Sequence, residues 1–264
     1  PWMLMNKYGV DALRLWMYMV NQPGDSKKKK KKTVDEIVKK VFNPLLNIVA
    51  FYELYKDDNT APSSTSKNIL DRWIISRLNE IVANGTKSLE KYQVFESARP
   101  IRDFVNDFST WYVRRSRDRF KSDNTDERNE ALATTSFVLL ELTKYMAPFT
   151  PFFAEEVFQK MKTSEMSESV HLENWPMGGD VDLELIESMQ NVREVVTSSL
   201  ELRQKSGHKV RQPLSTLKVP KEFSSDLLDI IADEVNVKEV KFGTVIKLDT
   251  VLTPELVKEG VARD

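Results

Sequence analysis

Apolar positions recur at spacings of three and four along most of the first 160 residues, the period of helices that bury one face. Asp11 to Val20 is apolar on most sides, through Ala12, Leu13, Leu15, Trp16, Met17 and Met19, and so predicts a helix covered on several faces. Asn21-Gln22-Pro23-Gly24-Asp25 ends it with turn chemistry. Thr33-Val34-Asp35-Glu36 reads as a capping box, the hydroxyl capping the helix and Glu36 reaching back. Ile37, Val41, Leu45, Ile48 and Tyr52 then form a stripe. Pro44 sits within it and is expected to kink the helix or remove one hydrogen bond. Residues 57–66 are a polar loop rich in Asp, Ser, Thr and Pro.

The pattern predicts a second long helix over Ile69–Tyr92, with Ile69, Trp73, Ile74, Leu78, Ile81 and Val82 inward. A third covers Glu96–Lys121 and a fourth Asp126–Met146. Pro148 and Pro151 break the chain before a shorter fifth, Phe152–Met161. Helices of 20 to 25 residues span ~30–38 Å, and four of them joined by short loops make an elongated antiparallel bundle. Residues 163–180 are loop, marked by Trp175-Pro176 and Gly178-Gly179, before helix returns over Val181–Lys205. The period then changes. Val210, Leu214, Leu217 and Val219 lie in a β-type stretch, followed by a helix (Ser224–Asp233) and two β-rich stretches, Val237–Phe242 and Val245–Leu248. The fold expected is mainly α, a helix bundle followed by a small α+β domain.

Composition narrows the chemistry. With no cysteine, disulfides, thiolate catalysis and zinc knuckles are excluded. No apolar run approaches the ~20 residues of a membrane span, and no secretory signal opens the chain. Pro1 carries no initiator Met and Gly260–Asp264 stops inside a helical pattern, so the chain reads as a piece of a longer protein. No Gly-rich phosphate cradle is present. His171 and His208 are isolated and make a poor metal site or triad. Glu155 and Glu156 are adjacent on a helix and point about 100° apart, which suits acids of an N-terminal turn rather than an acid/base pair. The chain alone is expected to catalyse nothing and to hold neither metal nor cofactor.

The net charge of -1 means that nucleic-acid binding requires a local patch. Six lysines, Lys27 to Lys32, read either as a solvated loop or as a phosphate-contacting arm, and nothing is rested on them. The sharper patch lies between Ala98 and Phe120, where six arginines face three aspartates. On a helical wheel from Ile101, the residues Phe104, Val105, Phe108, Trp111 and Tyr112 form the core stripe, with Asp103, Asp107, Arg114 and Arg117 outside it. Arg115 and Arg119 fall inside the stripe. Either they pair with acids of neighbouring helices, or this face leaves the bundle and meets RNA, where a planar guanidinium pairs with phosphate and stacks on bases. Trp111, Tyr112, Trp73 and Trp16 lie on core stripes, so packing is their expected role.

Several segments carry a family resemblance. Lys7-Tyr8-Gly9-Val10-Asp11-Ala12-Leu13-Arg14-Leu15-Trp16 resembles the segment after the KMSKS loop of class I aminoacyl-tRNA synthetases. Asp71-Arg72-Trp73-Ile74-Ile75-Ser76-Arg77-Leu78 is similar to the second anticodon-domain helix of the isoleucine, valine and leucine enzymes. Residues 102–120 resemble the isoleucine enzymes in particular. Met146-Ala147-Pro148-Phe149-Thr150-Pro151-Phe152 with Glu155-Glu156 resembles the last corner of the bundle. Lys209-Val210-Arg211-Gln212-Pro213-Leu214 and Leu252-Thr253-Pro254-Glu255-Leu256 resemble the junction domain beyond it. The resemblance covers nearly the whole chain, in order, and departs at the lysine run.

It implies that residues 1–26 connect to a catalytic part, 33–163 form the anticodon-binding bundle, and 181–264 form a helix plus a truncated junction domain. The implied partner is isoleucine tRNA, in a cytoplasmic, monomeric enzyme away from membranes. That enzyme uses ATP with Mg in domains this chain lacks. The residues expected to contact RNA are Arg114, Arg115, Arg117 and Arg119, with Lys209 and Arg211 as secondary contacts. Open alternatives are a valyl or leucyl sister enzyme and a helical protein-interaction scaffold without an RNA role.

Overall fold

A computed structural model describes residues 2–20, 31–56 and 60–262, and these form two units, 1–181 and 182–264. The turn at 21–25, Lys27 to Lys30 and part of the 57–66 loop lie outside the described residues.

The first unit is helical. It opens with α1 (Trp2–Tyr8) and α2 (Val10–Val20), separated by Gly9 at φ +85°, a left-handed conformation that glycine adopts without steric cost. Next come α3 (Lys31–Ile37) and α4 (Asn43–Tyr55), joined by a π-helical turn over Val38–Phe42. The helix thus begins before Thr33, which lies inside it and is not the N-cap that the capping box predicts. Pro44, at the start of α4, cannot donate to the preceding turn, and the wider π turn accommodates it without ending the helix. The stripe Ile37, Val41, Leu45, Ile48 and Tyr52 is buried throughout.

The long antiparallel core follows: α5 (Ile69–Glu90), α6 (Val94–Ala98), α7 (Pro100–Asn106), a second π segment (Asp107–Val113), α8 (Arg114–Phe120), α9 (Thr125–Met146) and α10 (Pro151–Met161). Asn68 and Asn124 cap α5 and α9 through their side-chain oxygens. Helix α9 packs against α4, α5, α8 and α10. Trp16 and Trp73 are core, as their stripes predict. Gly85 lets the Tyr145 ring cross α5, since a Cβ there would overlap the phenol oxygen. That oxygen bonds Ser97 at both its hydroxyl (2.9 Å) and its carbonyl (2.8 Å).

The proline corner at 148–151 is held from α2. The Asp11 carboxylate accepts from the Phe153 amide at 2.7 Å, meeting the open N-terminal turn of α10. Arg14 donates to the carbonyls of Phe149 and Pro148. Burial pushes the Asp11 carboxyl up from its usual range, against the opposing pull of the Phe153 and Phe152 amides. Asp11, far away in sequence, therefore does the work expected of Glu155 and Glu156, which lie past the first turn. Glu155 instead clamps the following loop, accepting from the Ser169 hydroxyl (2.8 Å) and the Val170 amide (2.9 Å), while Glu173 accepts from the Ser167 amide (2.8 Å). Farther along, Trp175 donates to Thr86 and Asn79 donates to the Asp180 carbonyl, which lays residues 175–180 along α5.

The second unit comprises α11 (Leu183–Lys205), β1 (Leu214–Val219), α12 (Ser225–Val235), β2 (Val237–Phe242), β3 (Lys247–Leu248) and α13 (Pro254–Ala262). The sheet order is β2-β1-β3, with β1 parallel to β2 across the α12 crossover and antiparallel to β3. Arg203, 1% exposed, organises the unit. Its fork donates to four carbonyls, those of Lys209 and Gln212 (2.7 and 2.6 Å) and of Val235 and Asn236 (2.7 and 2.9 Å). Burial pulls its guanidinium below the usual value.

Two outcomes follow. All five tryptophans lie in the first unit, so Arg203→Met is expected to leave the tryptophan fluorescence midpoint in urea unchanged. It should lower hydrogen-exchange protection of the 237–248 amides by roughly 2–4 kcal/mol, the cost of stranded buried carbonyls. The second outcome concerns acid. Desolvation raises the Glu155 pKa, but bonds from Gln159, Ser169 and Val170 outweigh it and hold the carboxyl below the usual range. The Ser167 bonds hold Glu173 low as well, against a smaller desolvation penalty. A depressed carboxylate pKa stabilises above the unfolded value and loses that contribution as pH falls through the folded one. The protection factor of the Val170 amide, referred to its intrinsic exchange rate at each pH, should therefore fall below about pH 4.5, and Glu155→Gln should lower it at neutral pH while removing part of the acid response.

Candidate nucleic-acid interface

The arginine-rich stretch is positioned by one buried carboxylate. Asp71, in the first turn of α5, is fully buried. It accepts from both terminal nitrogens of Arg119 (2.6 and 2.8 Å), from the Tyr112 hydroxyl (2.9 Å) and from the Ser66 hydroxyl (2.7 Å). Glu130 of α9 closes the group. It lies 3.8 Å from Arg119, accepts from the Lys67 amide at 2.8 Å and stands 2.8 Å from the same Ser66 hydroxyl, whose single proton the two carboxylates share. Burial acts to lower the Arg119 pKa, but the bonds and charge of Asp71 outweigh it and the guanidinium is held above its usual value. Tyr112 is pushed well up by burial and by the Asp71 charge, so it remains a donor. A buried charge is tolerated only when paired and hydrogen-bonded, and here both partners are.

Arg119 is therefore an internal residue and is withdrawn from the RNA-contact set. Of its two readings, the ion pair with a neighbouring helix is the one realised. The π segment explains how the rest of the stretch divides. One extra residue in the helix rotates everything downstream by about 100°. Ser116 and Phe120 consequently take the inward positions, and Arg115 moves partly outward to an intermediate exposure. Upstream, Asp107 turns inward, contrary to the wheel, and accepts from Arg77 at 3.2 Å. Arg77 also pairs with Glu80.

Arg114 and Arg117 are exposed. Arg114 donates to the Thr110 carbonyl at 2.7 Å and stands over the Trp111 ring, 5.8 Å from its centroid. Trp111 is thus half-buried, while Tyr112 is fully buried. The outward cations of α8 are Arg114 and Arg117, with Arg115 beside them and Lys121 exposed just past the helix end. Lys121 was missed because it sits beyond the arginine run. Asp71 could have been found as the lone acid ahead of the apolar positions of α5.

Lys209 and Arg211 belong to the second unit, and both are exposed. Their backbone is pinned from beneath. Arg203 holds the carbonyls of Lys209 and Gln212, and Asn236, left-handed at φ +53°, donates to those of Val210 and Arg211 (2.8 and 3.1 Å). Four consecutive carbonyls thus turn inward. Among the described residues no acid and histidine cluster could hold a metal ion, and no helix is long and apolar enough to cross a membrane.

Residues 71–218 match the anticodon-binding domain of tRNA ligase, and the chain belongs to that family. Its relatives point to one branch. The isoleucine–tRNA ligase of Chlamydia caviae is 35% identical over 260 residues, 92% of this chain and 25% of the relative. That of Dehalococcoides mccartyi is 34% identical across the whole chain and 30% of the relative, and that of Clostridium acetobutylicum is 36% identical across 92% of the chain and 25% of the relative. The chain spans between a quarter and a third of the length of these proteins. Among solved structures, the Agrobacterium radiobacter LeuRS–tRNA–LeuAMS complex aligns with a TM-score of 0.49 at 17% identity, covering 70% of this chain and 21% of that one.

The division of the arginines sets an expectation for stability. Arg119→Met should cost about 3–5 kcal/mol in chemical denaturation followed by tryptophan fluorescence, because Asp71 is left charged and buried. Arg117→Ala should stay within about 0.5 kcal/mol of the parent.

Proposed function

We propose that this chain is the part of an isoleucine–tRNA ligase that holds the anticodon stem and loop of isoleucine tRNA. The observation that carries the reading is the exposed cationic edge of α8, anchored through Arg119 to the buried Asp71. Family membership and the isoleucine relatives support it. Arg114, Arg115 and Arg117 contact the phosphate backbone. Such contacts fix position, while stacking and edge hydrogen bonds to unstacked bases supply specificity. Arg114 over Trp111 forms a cation–aromatic pair beside that edge. Lys209 and Arg211 contribute secondary contacts from a backbone that is already ordered. The whole enzyme, a cytoplasmic monomer, joins isoleucine to its tRNA with ATP and Mg in its other domains, and this piece is inactive alone.

Gel-shift titration with isoleucine tRNA at two salt concentrations tests this. Binding should weaken steeply with salt. The Arg114→Ala, Arg115→Ala, Arg117→Ala triple variant should bind at least about tenfold more weakly at low salt and flatten the logarithmic salt slope by roughly 2 to 3. Equal binding by parent and triple variant would remove these residues from the interface, and no binding by the parent would overturn the reading.

A further inference from the structure

The second unit holds 12 basic and 15 acidic residues, yet one face of its sheet carries a row of lysines. Lys218 lies on the central strand β1, directly opposite Lys241 of β2 and Lys247 of β3 in the sheet register. Cross-strand partners share a face, so three lysines form one row across three strands. All three are exposed. The opposite face holds Leu217, Val219 and Leu248, which are buried, with α11 against β3 and α12 against β2.

Like charges placed directly opposite one another disfavour the pairing. Lysines on edge strands do guard sheets against aggregation, which accounts for Lys241 and Lys247. It does not account for Lys218, whose strand has both edges paired. Two acids share this face, and one of them pairs with the row itself. Glu239 pairs with Lys241 at 2.8 Å. Asp249 accepts from the Ser215 hydroxyl (2.7 Å) and the Val251 amide (3.1 Å). Those bonds, with the Lys247 charge, hold Asp249 below the usual carboxylate range. Gly243 passes against the Lys218 stem, leaving no room for a side chain of its own. The row borders a cleft of about 550 Å³ that Thr216, Asp249 and Thr250 also line.

From this row we infer a second RNA-binding site, on the sheet of residues 214–248, in which Lys218, Lys241 and Lys247 hold consecutive phosphates of an RNA strand and Thr216 and Thr250 donate to the backbone. Phosphate is the chemistry that three parallel ammonium groups with adjacent hydroxyls recognise. The strands are ~5 Å apart, so flexible lysine stems can follow a backbone crossing the sheet. The site rests on the proposal that the chain binds RNA, but it uses none of the α8 residues.

The test uses the whole chain with a fluorescent isoleucine tRNA, and the variant Lys218→Gln, Lys241→Gln, Lys247→Gln, which removes surface charge and leaves the core intact. The variant should keep the parent's melting temperature, bind at least about fivefold more weakly at low salt, and flatten the logarithmic salt slope by about 2. In the parent, tRNA should shift the amide resonances of Thr216, Lys218, Lys241 and Lys247. Pyrophosphate serves as the small-anion probe. Shifts with pyrophosphate but none with tRNA would overturn the RNA assignment. Parent-like binding by the lysine variant, alongside weakened binding by the arginine triple variant, would overturn the sheet site and leave the α8 reading standing. If the parent binds no RNA, both fall.

Discussion

The bidentate pair between Asp71 and Arg119 is the contact on which the candidate interface depends. It joins the first turn of α5 to the last turn of α8 in the dry interior. Tyr112 and Ser66 complete the hydrogen bonding of the carboxylate and Glu130 stands 3.8 Å from the guanidinium, so α5, α8, α9 and the loop before α5 meet at this pair. Breaking such a pair strands a charge where water cannot reach, and this fixes the rotation of α8 about its own axis. Fixing that rotation decides which arginines face outward. The outward cations are thus a consequence of the inward one.

The same arrangement shows how far the sequence could be read. Helix periodicity placed the long helices within a few residues, because each buries a continuous stripe. Trp73, Ile74, Leu78, Ile81 and Val82 on α5 are all interior. The wheel put Asp107 outward and Arg115 inward, whereas Asp107 is buried and Arg115 lies partly outward; Arg119 is buried as the wheel has it. A wheel assumes 3.6 residues per turn, and residues 107–113 form a π segment with one residue more. No local signal marks that insertion. It becomes intelligible from tertiary demands, since it turns Ser116 and Phe120 into the core. Pro44 is the opposite case. Its disturbance of the ladder was legible, but its resolution as a π turn required knowing that Val41 and Leu45 must both stay buried.

The resemblance motifs become physically intelligible once folded. The segment containing Asp11 and Arg14 and the segment around Pro148–Pro151 lie about 140 residues apart, yet they form one joint: a carboxylate on a helix N-terminus, and a guanidinium on the carbonyls of the corner before it. Lys209–Gln212 likewise reads as an unremarkable basic loop until Arg203 and Asn236 are seen holding its four carbonyls. Arg203 was invisible as a structural residue in sequence because it sits near the end of a helix among charged neighbours, where an exposed arginine is the usual outcome.

The described interior contains two cations, and both are arginines, Arg119 and Arg203. Each uses the fixed fork, one against a carboxylate and one against four carbonyls. A lysine ammonium is a point charge with a stronger hold on water and could serve neither geometry as well. The lysine row on the sheet shows the complementary choice, since an exposed strand face needs long, mobile, hydrated cations that adapt to what lies on them. A chain of net charge -1 can therefore present positive faces without being basic, by spending arginine on architecture and on the helix edge and placing lysine where no architecture is needed. Arginine count alone thus overstates the outward charge of α8, because one member of the run is the anchor that orients the others.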